Sequence, residues 1–293
     1  MKGDFWDYST EVYRRMKSPW RPSRQETAAM ESLVAGWMRQ RIDHSAIQML
    51  VLGITPEIVN MVLPDKTTLT VVDNSEAMVR SFGPGDCDHG KHLVQADWVH
   101  LPFAPRRFDA IIGDGVFNIF SYPEGYRNFA RILSSNLKPG GLFLTRLHAQ
   151  SEPKENPQDV AALYLSAGIT DYHELRYRFI TAMQPDIYQG VLSSKDIIDS
   201  QMVRFGISLP ELYRRTGYTP PPEIKTPPVR SGAPPMKATY PTQSEFLDSV
   251  RGHFELLDVR YGDHALARQC PIFAFRPVTE NKRVSRVHSS ESQ

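Results

Sequence analysis

The stretch VLGITPE, at Val51–Glu57, begins within an apolar run, Ile47–Leu52, and decides the fold. An apolar run without polar alternation is typical of a strand that is covered on both faces. Gly53 permits a tight turn and a close approach by a ligand. Thr55 is a good N-cap, Pro56 suits the first helical position, and the free amides there can hold an anionic group. The stretch predicts a strand, a turn and a helix beside a ligand site.

Six further runs predict strands, and helical or polar stretches separate most of them. They are Thr68–Val72, His92–Gln95, Phe108–Ile112, Gly141–Leu147, Phe254–Arg260 and Ile272–Arg276. Strands that alternate with helices indicate a mostly parallel sheet with helices on both faces, and the last two runs indicate a hairpin. We therefore predict an α/β fold with a doubly wound, seven-stranded, mostly parallel sheet.

The remaining chain divides into segments around this core. Residues 1–45 are expected to form a helical lid, because Pro22 opens a helix and Ser23 to Glu26 has the spacing of a capping box. Residues 46–150 are the predicted core, 151–240 an insertion over the substrate site, 241–279 the last helix and closing strands, and 280–293 a disordered tail. Helices are predicted in the insertion at Pro157–Gly168, Tyr172–Met183 and Lys195–Phe205, before the proline-rich stretch Thr219–Pro241.

Composition narrows the class of protein. The 293 residues carry a formal net charge of +1, which gives no electrostatic reason to expect a nucleic acid or a membrane as partner. Two cysteines argue against a disulfide framework and suit a reducing compartment. The first ten residues lack the apolar core of a signal peptide, and no run approaches the ~18 apolar residues of a membrane span. We expect a soluble, cytoplasmic protein.

The chemistry is expected just after each strand, since ligands of doubly wound sheets bind beyond the carboxyl ends of the strands. Asp73 follows the second strand about 20 residues after Gly53, where an acid can accept hydrogen bonds from both hydroxyls of a ribose. Asp97 and Trp98 follow the third strand and offer an acceptor beside an aromatic face, which suits an adenine. Asp114 and Gly115 follow the fourth strand.

In order and spacing, these segments resemble the class I S-adenosylmethionine-dependent methyltransferase family. The matching segments are VLGITPE at Val51–Glu57, VVDNS at Val71–Ser75, QADW at Gln95–Trp98, FDAIIGDG at Phe108–Gly115 and LKPGGLF at Leu137–Phe143. The resemblance spans residues 46–150 and resumes at 240–276, where YPTQSEF and CPIFAF resemble the last helix and the closing strand pair. It implies a Rossmann-like core of the methyltransferase type, with S-adenosylmethionine as the cofactor. No metal is expected, because no acid or cysteine set completes the metal-ligand spacing of His89 and His92.

The resemblance also implies a role for each residue at the strand ends. Gly53 and Thr55 would line the methionine end of the cofactor, and Asp73 would bind the ribose, with Asn74 and Met78 nearby. Asp97 and Trp98 would hold the adenine. Asp114 and Gly115 would approach the sulfonium. The family's first loop normally carries two or three glycines, whereas this chain has Gly53 alone. Either Thr55 or a residue from outside the sheet is therefore expected to take over a contact.

The N-terminal segment supplies candidates for that contact. Arg21 can meet the methionine carboxylate if the segment closes over the site, or can be a surface arginine near a helix start. The aromatic residues Trp6, Tyr8, Tyr13 and Trp20 can stabilise a sulfonium by cation–π attraction, or can simply be core.

Candidate catalytic groups follow the fourth and fifth strands. They are Asn118, Tyr122, Tyr126, His148 and Glu152, with His148, Asn118 and Tyr122 preferred. His148 is the best candidate for a general base, because the pKa of a free imidazole lies near neutrality. Asn118 lacks the Asn-Pro-Pro-Tyr/Phe context of nucleic-acid amino methyltransferases, which favours a small-molecule substrate in specialised metabolism.

Other functions stay open on the same fold. A nicotinamide dehydrogenase would need the Gly-x-Gly-x-x-Gly fingerprint, which the first turn lacks. A closed pocket can instead bend S-adenosylmethionine so that its own amine displaces methylthioadenosine and forms azetidine-2-carboxylate. A cofactor-binding protein without activity is the third alternative. The methyl acceptor and the oligomeric state are left undetermined.

Overall fold

The fold is seen in a computed structural model that describes residues 13–43, 45–82, 90–192, 195–220 and 237–278. Several sequence predictions fall outside these residues. They concern Trp6 and Tyr8, most of the proline-rich stretch, and the tail from residue 280.

A seven-stranded sheet has the order β3-β2-β1-β4-β5-β9-β8. Its strands are β1 (Ile47–Leu52), β2 (Thr67–Asp73), β3 (Lys91–Gln95), β4 (Phe108–Asp114), β5 (Leu137–Arg146), β8 (Phe254–Arg260) and β9 (Ile272–Pro277). The first five are parallel, and β9 runs antiparallel to both β5 and β8. The predicted seven-stranded α/β fold is therefore confirmed. A separate pair, β6 (Val191–Leu192) and β7 (Lys237–Ala238), lies in the insertion.

The fifth strand begins earlier than predicted. The sequence predicts that the strand begins at Gly141, but Leu137 already pairs with Phe108. The next pair is Leu142 with Ala110, so the residues between them bulge out of the sheet. Gly140, with φ 74°, makes this bulge possible.

Helices cover both faces of the sheet. They are α1 (Arg24–Arg39), α2 (Pro56–Val59), α3 (Glu76–Phe82), α4 (Glu124–Asn136), α5 (Pro157–Leu165), α6 (Tyr172–Ala182), α7 (Lys195–Arg204), α8 (Leu209–Thr216) and α9 (Gln243–Val250). The predicted capping box at α1 is present, because the Glu26 amide donates to Ser23 Oγ and the Ser23 amide donates to the Glu26 carboxylate. The helices of the insertion start where predicted and end one to three residues sooner.

Three apolar clusters divide the interior. One face of the sheet packs against α4 and α9 through aromatic rings such as Phe117 and Phe246. The other face packs against α1, through Met30 and Val34, and against α2. The insertion has a cluster of its own around α6, which includes Phe179. No helix of the described ranges is both long enough and apolar enough to cross a membrane.

The strand order reverses between β1 and β4. Leu52, the last residue of β1, pairs with Gly113 at this point, and the next residues are Gly53 of the first turn and Asp114, the last residue of β4. Asp114 in turn pairs with Arg146 of β5. The ends of β1, β4 and β5 therefore form the rim of the crevice where a doubly wound sheet binds its ligand.

The apolar cluster between the sheet and the helices α4 and α9 can be tested at Leu133. Leu133 is fully buried on α4, so Leu133→Ala removes apolar contacts and leaves a cavity. We expect the free energy of unfolding, measured by urea denaturation, to fall by roughly 3 kcal/mol. The matched control is Leu257→Ala on β8, where the side chain is 47% exposed, and which should cost less than about 1 kcal/mol. Equal losses in the two variants would contradict the assignment of this core.

Candidate functional site

The turn after β1 has the conformation that its glycine predicts. Gly53 has φ 77°, and a Cβ atom there would lie 3.1 Å from the Trp98 ring. Thr55 occupies the N-cap position of α2, but its side chain caps no amide. Because α2 has only four residues, its dipole is small, and anion binding at this turn depends on side chains.

Asp73 ties the ends of β1 and β2 together. Its Oδ2 accepts from the Ile54 amide at 3.0 Å, and its Oδ1 accepts from the Ser75 amide at 2.8 Å. Burial raises the pKa of the Asp73 carboxyl, although the two amides oppose that rise. Each carboxylate oxygen still has a lone pair, so the group can accept from a hydroxyl of a ligand. Of its predicted neighbours, Met78 is buried in the sheet cluster and Asn74 is exposed.

Trp98 lies against this turn. Its Nε1 donates to the Val72 carbonyl at 3.0 Å, and its ring packs against Gly53 and stacks on Phe129. Asp97 is exposed, and its Oδ1 accepts from the amide of Val99. The structure thus brings Trp98, Gly53 and Asp73 together, with Asp97 on the outer side.

Residues from the N-terminal segment cover the same turn. Arg21 Nη2 lies 2.7 Å from Glu57 Oε1, and its guanidinium lies over the ring of Tyr13. The Tyr13 hydroxyl hydrogen-bonds with Thr55, and burial, together with the charge of Asp114, raises the pKa of Tyr13. Two of the residues predicted outside the sheet therefore contact the first turn.

The pair of Arg21 and Glu57 keeps unused hydrogen-bonding capacity. Among the described residues, Arg21 Nε and Glu57 Oε2 are buried without a hydrogen-bond partner. A buried donor and a buried acceptor without partners are costly unless a ligand satisfies them. A guanidinium and a carboxylate match the carboxylate and ammonium of an amino-acid end, so these residues fit the methionine portion of S-adenosylmethionine.

A buried ion network lies on the next part of the rim. Arg146 Nε donates to Asp114 Oδ1 at 2.7 Å, and Arg146 Nη2 donates to Asp114 Oδ2 at 3.2 Å. Arg146 Nη1 donates to the Pro19 carbonyl at 2.9 Å and contacts Glu26 at 3.3 Å. The network therefore joins the N-terminal segment and α1 to the ends of β4 and β5.

The pKa values in the network reflect competition for one guanidinium. Burial raises the pKa of Asp114, the Arg146 charge opposes it, and the nearby carboxylates of Glu26 and Glu57 raise it further. Burial also tends to raise the pKa of Glu26, but the hydrogen bond with His264 and the charge of Arg146 outweigh burial and lower it to about 2.

His148 and Asn118 lie beside Gly115. A Cβ atom at Gly115 would lie 3.1 Å from the His148 ring. Asn118 Nδ2 donates at 2.7 Å to the carbonyls of His148 and Thr239, and its Oδ1 accepts from the His148 amide. The side-chain amide of Asn118 therefore holds the segment that follows β5 against Thr239.

The environment of His148 argues against a general base. Burial and the neighbouring Arg146 guanidinium lower the pKa of His148 to about 3. A base of that strength accepts few protons near neutral pH. Tyr122 is engaged elsewhere, since its hydroxyl donates to the Glu245 carbonyl and its ring contacts Tyr126 and Tyr188. The catalytic roles of His148, Asn118 and Tyr122 stay predictions.

Three charged residues of the site were missed as functional candidates by the sequence reasoning. Glu26 had been assigned only to a capping box, and Glu57 only to a helix start. Arg146 is the one charged residue in the predicted strand Gly141–Leu147, and a charged residue is almost never fully buried unless it is paired. That isolated charge was the available signal for Arg146.

Comparison with known proteins identifies the class. Residues 52–145 match a family model described as a methyltransferase domain. The predicted resemblance to a methyltransferase domain is thus confirmed over residues 52–145, and S-adenosylmethionine as the predicted cofactor agrees with such a domain. No curated protein matches the chain.

Solved structures share the fold at low sequence identity. A Rhodobacter sphaeroides protein, provisionally described as a Zn-dependent alcohol dehydrogenase, has a TM-score of 0.56 and 16% identity, and the match covers 94% of this chain and 97% of that protein. The 1,6-didemethyltoxoflavin-N1-methyltransferase of Burkholderia thailandensis has a TM-score of 0.50 and 10% identity, with 94% and 86% covered. Within the described residues of this chain, no group of three or more His, Cys, Asp or Glu side chains can hold a metal.

The lowered pKa of Glu26 makes stability depend on pH. Because about 2 in the folded protein lies below the ordinary 4.5, ionised Glu26 stabilises the fold above pH 4.5, and this contribution is lost as the pH falls towards 2. We expect the difference in unfolding free energy between the wild type and Glu26→Gln to shrink by roughly 3 kcal/mol between pH 6 and pH 2.

The matched control is Glu124→Gln, which removes an exposed ion pair with Arg127. Exposed pairs contribute little, so this variant should follow the wild type at every pH. Urea denaturation across the pH range measures all three proteins. A difference between wild type and Glu26→Gln that does not change with pH would show that Glu26 is not ionised preferentially in the folded state.

Proposed function

We propose that this chain transfers the methyl group of S-adenosylmethionine to a small molecule. The observation that carries the proposal is the arrangement around the first turn, where Arg21 and Glu57 face each other beside Gly53 and Asp73 follows the neighbouring strand. Arg21 and Glu57 offer partners for the carboxylate and the ammonium of the amino-acid portion, and Asp73 offers a hydrogen-bond acceptor for the ribose hydroxyls. The methyltransferase domain at residues 52–145 supports the same assignment.

Six of the predicted cofactor residues, together with Glu57, have a place in this proposal. Arg21 binds the carboxylate of the methionine portion and Glu57 binds its ammonium. Asp73 accepts from the ribose hydroxyls, and Trp98 and Asp97 flank the adenine. Asp114 and Gly115 face the reacting end. When bound, the cofactor supplies an electrophilic methyl group on a positively charged sulfur.

A small molecule is the acceptor that the surroundings favour. Trp20 contacts the rings of His148 and Tyr177, at centroid distances of 5.6 and 5.2 Å, so aromatic side chains border the Gly115 end of the site. The net charge of +1 gives no electrostatic reason to expect a nucleic acid as substrate. The Burkholderia enzyme with the same fold is named for methylation of a small heterocycle.

Positioning is the main contribution that these residues make to the reaction. With the pKa of His148 lowered to about 3, the imidazole is neutral and can accept a hydrogen bond, but it removes protons poorly. Holding a nucleophile in line with the sulfur–methyl bond can by itself supply a large part of the acceleration. We therefore assign His148 to orienting the acceptor rather than to deprotonating it.

Asp73 provides a test of the cofactor site. In Asp73→Asn the side chain loses its charge, and a hydrogen bond to a charged group contributes about 1.5–3 kcal/mol. We expect the dissociation constants of S-adenosylmethionine and S-adenosylhomocysteine to rise about 10- to 100-fold in calorimetric titrations. The matched control is Asp43→Asn, since exposed Asp43 also accepts from an amide two residues on, that of Ser45. Unchanged binding in Asp73→Asn would remove this residue from the site.

The reaction is tested by incubation with S-adenosylmethionine alone, followed by mass spectrometry. We expect the cofactor to bind and to stay intact until a small-molecule acceptor is added, when S-adenosylhomocysteine should appear. Release of methylthioadenosine with a cyclic amino acid, in the absence of an acceptor, would overturn methyl transfer in favour of cyclisation. Absence of binding would overturn the cofactor assignment for this chain.

A further inference from the structure

The buried network on the rim contains two carboxylates and one guanidinium. The side chains of Glu26 and Arg146 are 0% exposed, and that of Asp114 is 5% exposed. Arg146 makes two hydrogen bonds with Asp114 and one longer contact with each oxygen of Glu26. The pair of Arg21 and Glu57 is neutral as a unit and does not change this balance. With both acids ionised, these three buried side chains therefore carry one negative charge in excess.

An excess charge of this kind is costly inside a protein. One guanidinium cannot compensate two carboxylates, and water is excluded from all three groups. The competition is visible at Asp114, whose pKa is raised by burial and by the carboxylates of Glu26 and Glu57. A cation placed next to Asp114 would relieve that repulsion, because Coulomb attraction is stronger in a water-excluded crevice.

The excess charge lies where the cofactor is expected. Asp114 is the last residue of β4, follows the pair of Gly113 with Leu52 at the reversal of strand order, and pairs with Arg146 of β5. Its charge also acts on the Tyr13 hydroxyl, which bonds with Thr55 of the first turn. Asp114 therefore lies at the strand ends, whereas Glu26 contacts a different nitrogen of Arg146 from α1.

We propose that Glu26 competes with Asp114 for the positive charge of Arg146, so that part of the negative charge of Asp114 is left uncompensated. This negative charge selects the sulfonium of S-adenosylmethionine over the neutral thioether of S-adenosylhomocysteine. The inference rests on the proposed function. In the reaction, the methyl carbon forms a bond with the acceptor while its bond to sulfur breaks, and sulfur keeps the electron pair. The product is neutral at sulfur and loses the attraction, which favours its release. Glu26 is accordingly a positioning and selectivity residue that need not contact the cofactor.

The substitution Glu26→Gln isolates the charge. Glutamine at the third helical position preserves a capping box, and its oxygen can still accept from Arg146. The matched control is Ser23→Ala, which removes the hydrogen bond from the Glu26 amide to Ser23 Oγ and leaves the carboxylate in place. His264 Nε2 also lies 3.2 Å from Glu26 Oε1, so all titrations are made at one fixed pH.

The test is calorimetric titration of the full chain with each of the two ligands. We expect Glu26→Gln to raise the dissociation constant of S-adenosylmethionine about tenfold and to leave that of S-adenosylhomocysteine within about twofold. Ser23→Ala should leave the ratio of the two constants unchanged. If Glu26 had a purely structural role, Glu26→Gln would raise the dissociation constants of both ligands by the same factor. That result would overturn the inference while the proposed function stands.

A second variant covers the case in which Glu26→Gln does not fold. Asp114→Asn removes the other carboxylate charge and keeps an oxygen that can accept from Arg146. It should therefore also weaken the binding of S-adenosylmethionine more than that of S-adenosylhomocysteine. An unchanged ratio in Asp114→Asn would overturn the inference as well. A wild-type chain that binds neither ligand would overturn the proposed function, and with it the inference.

Discussion

The fully buried guanidinium of Arg146 is the constraint on which the site depends. Its charge cannot remain inside the protein without acceptors, and the acceptors come from three different parts of the chain: Asp114 of β4, Glu26 of α1 and the carbonyl of Pro19. Each of these groups must be placed before the guanidinium is satisfied. The burial of one side chain thus requires the N-terminal segment to lie on the carboxyl ends of the central strands.

This arrangement has a consequence for how a ligand enters. The N-terminal segment holds Tyr13 over Thr55 and Arg21 over Glu57, so it covers the turn at which the methionine portion is expected. A large ligand can enter only if part of that cover moves. The contacts at Arg21 are partly exposed, whereas those at Arg146 are buried, so the outer part of the segment can open at lower cost than the part near Pro19.

The same network limits the chemistry that is available at the strand ends. Asp114 is held by two hydrogen bonds from Arg146, and His148 is kept neutral by burial and by that guanidinium. Neither group is suited to taking a proton from an acceptor. A reaction that depends mainly on alignment and on the electrostatic environment agrees with such surroundings, and methyl transfer from a sulfonium is one of these reactions.

Local sequence determined the elements and the positions of the strand ends. The apolar run before Gly53, the acid at Asp73 and the glycine at Gly115 could be found without a structure, because strand periodicity and turn chemistry act between near neighbours. The capping box at Ser23 is local in the same sense. What only the tertiary structure decided is the pairing of Glu26 with Arg146 across 120 positions, and the loss of basicity at His148. Both follow from burial, which depends on how distant segments pack and which no short stretch of sequence encodes.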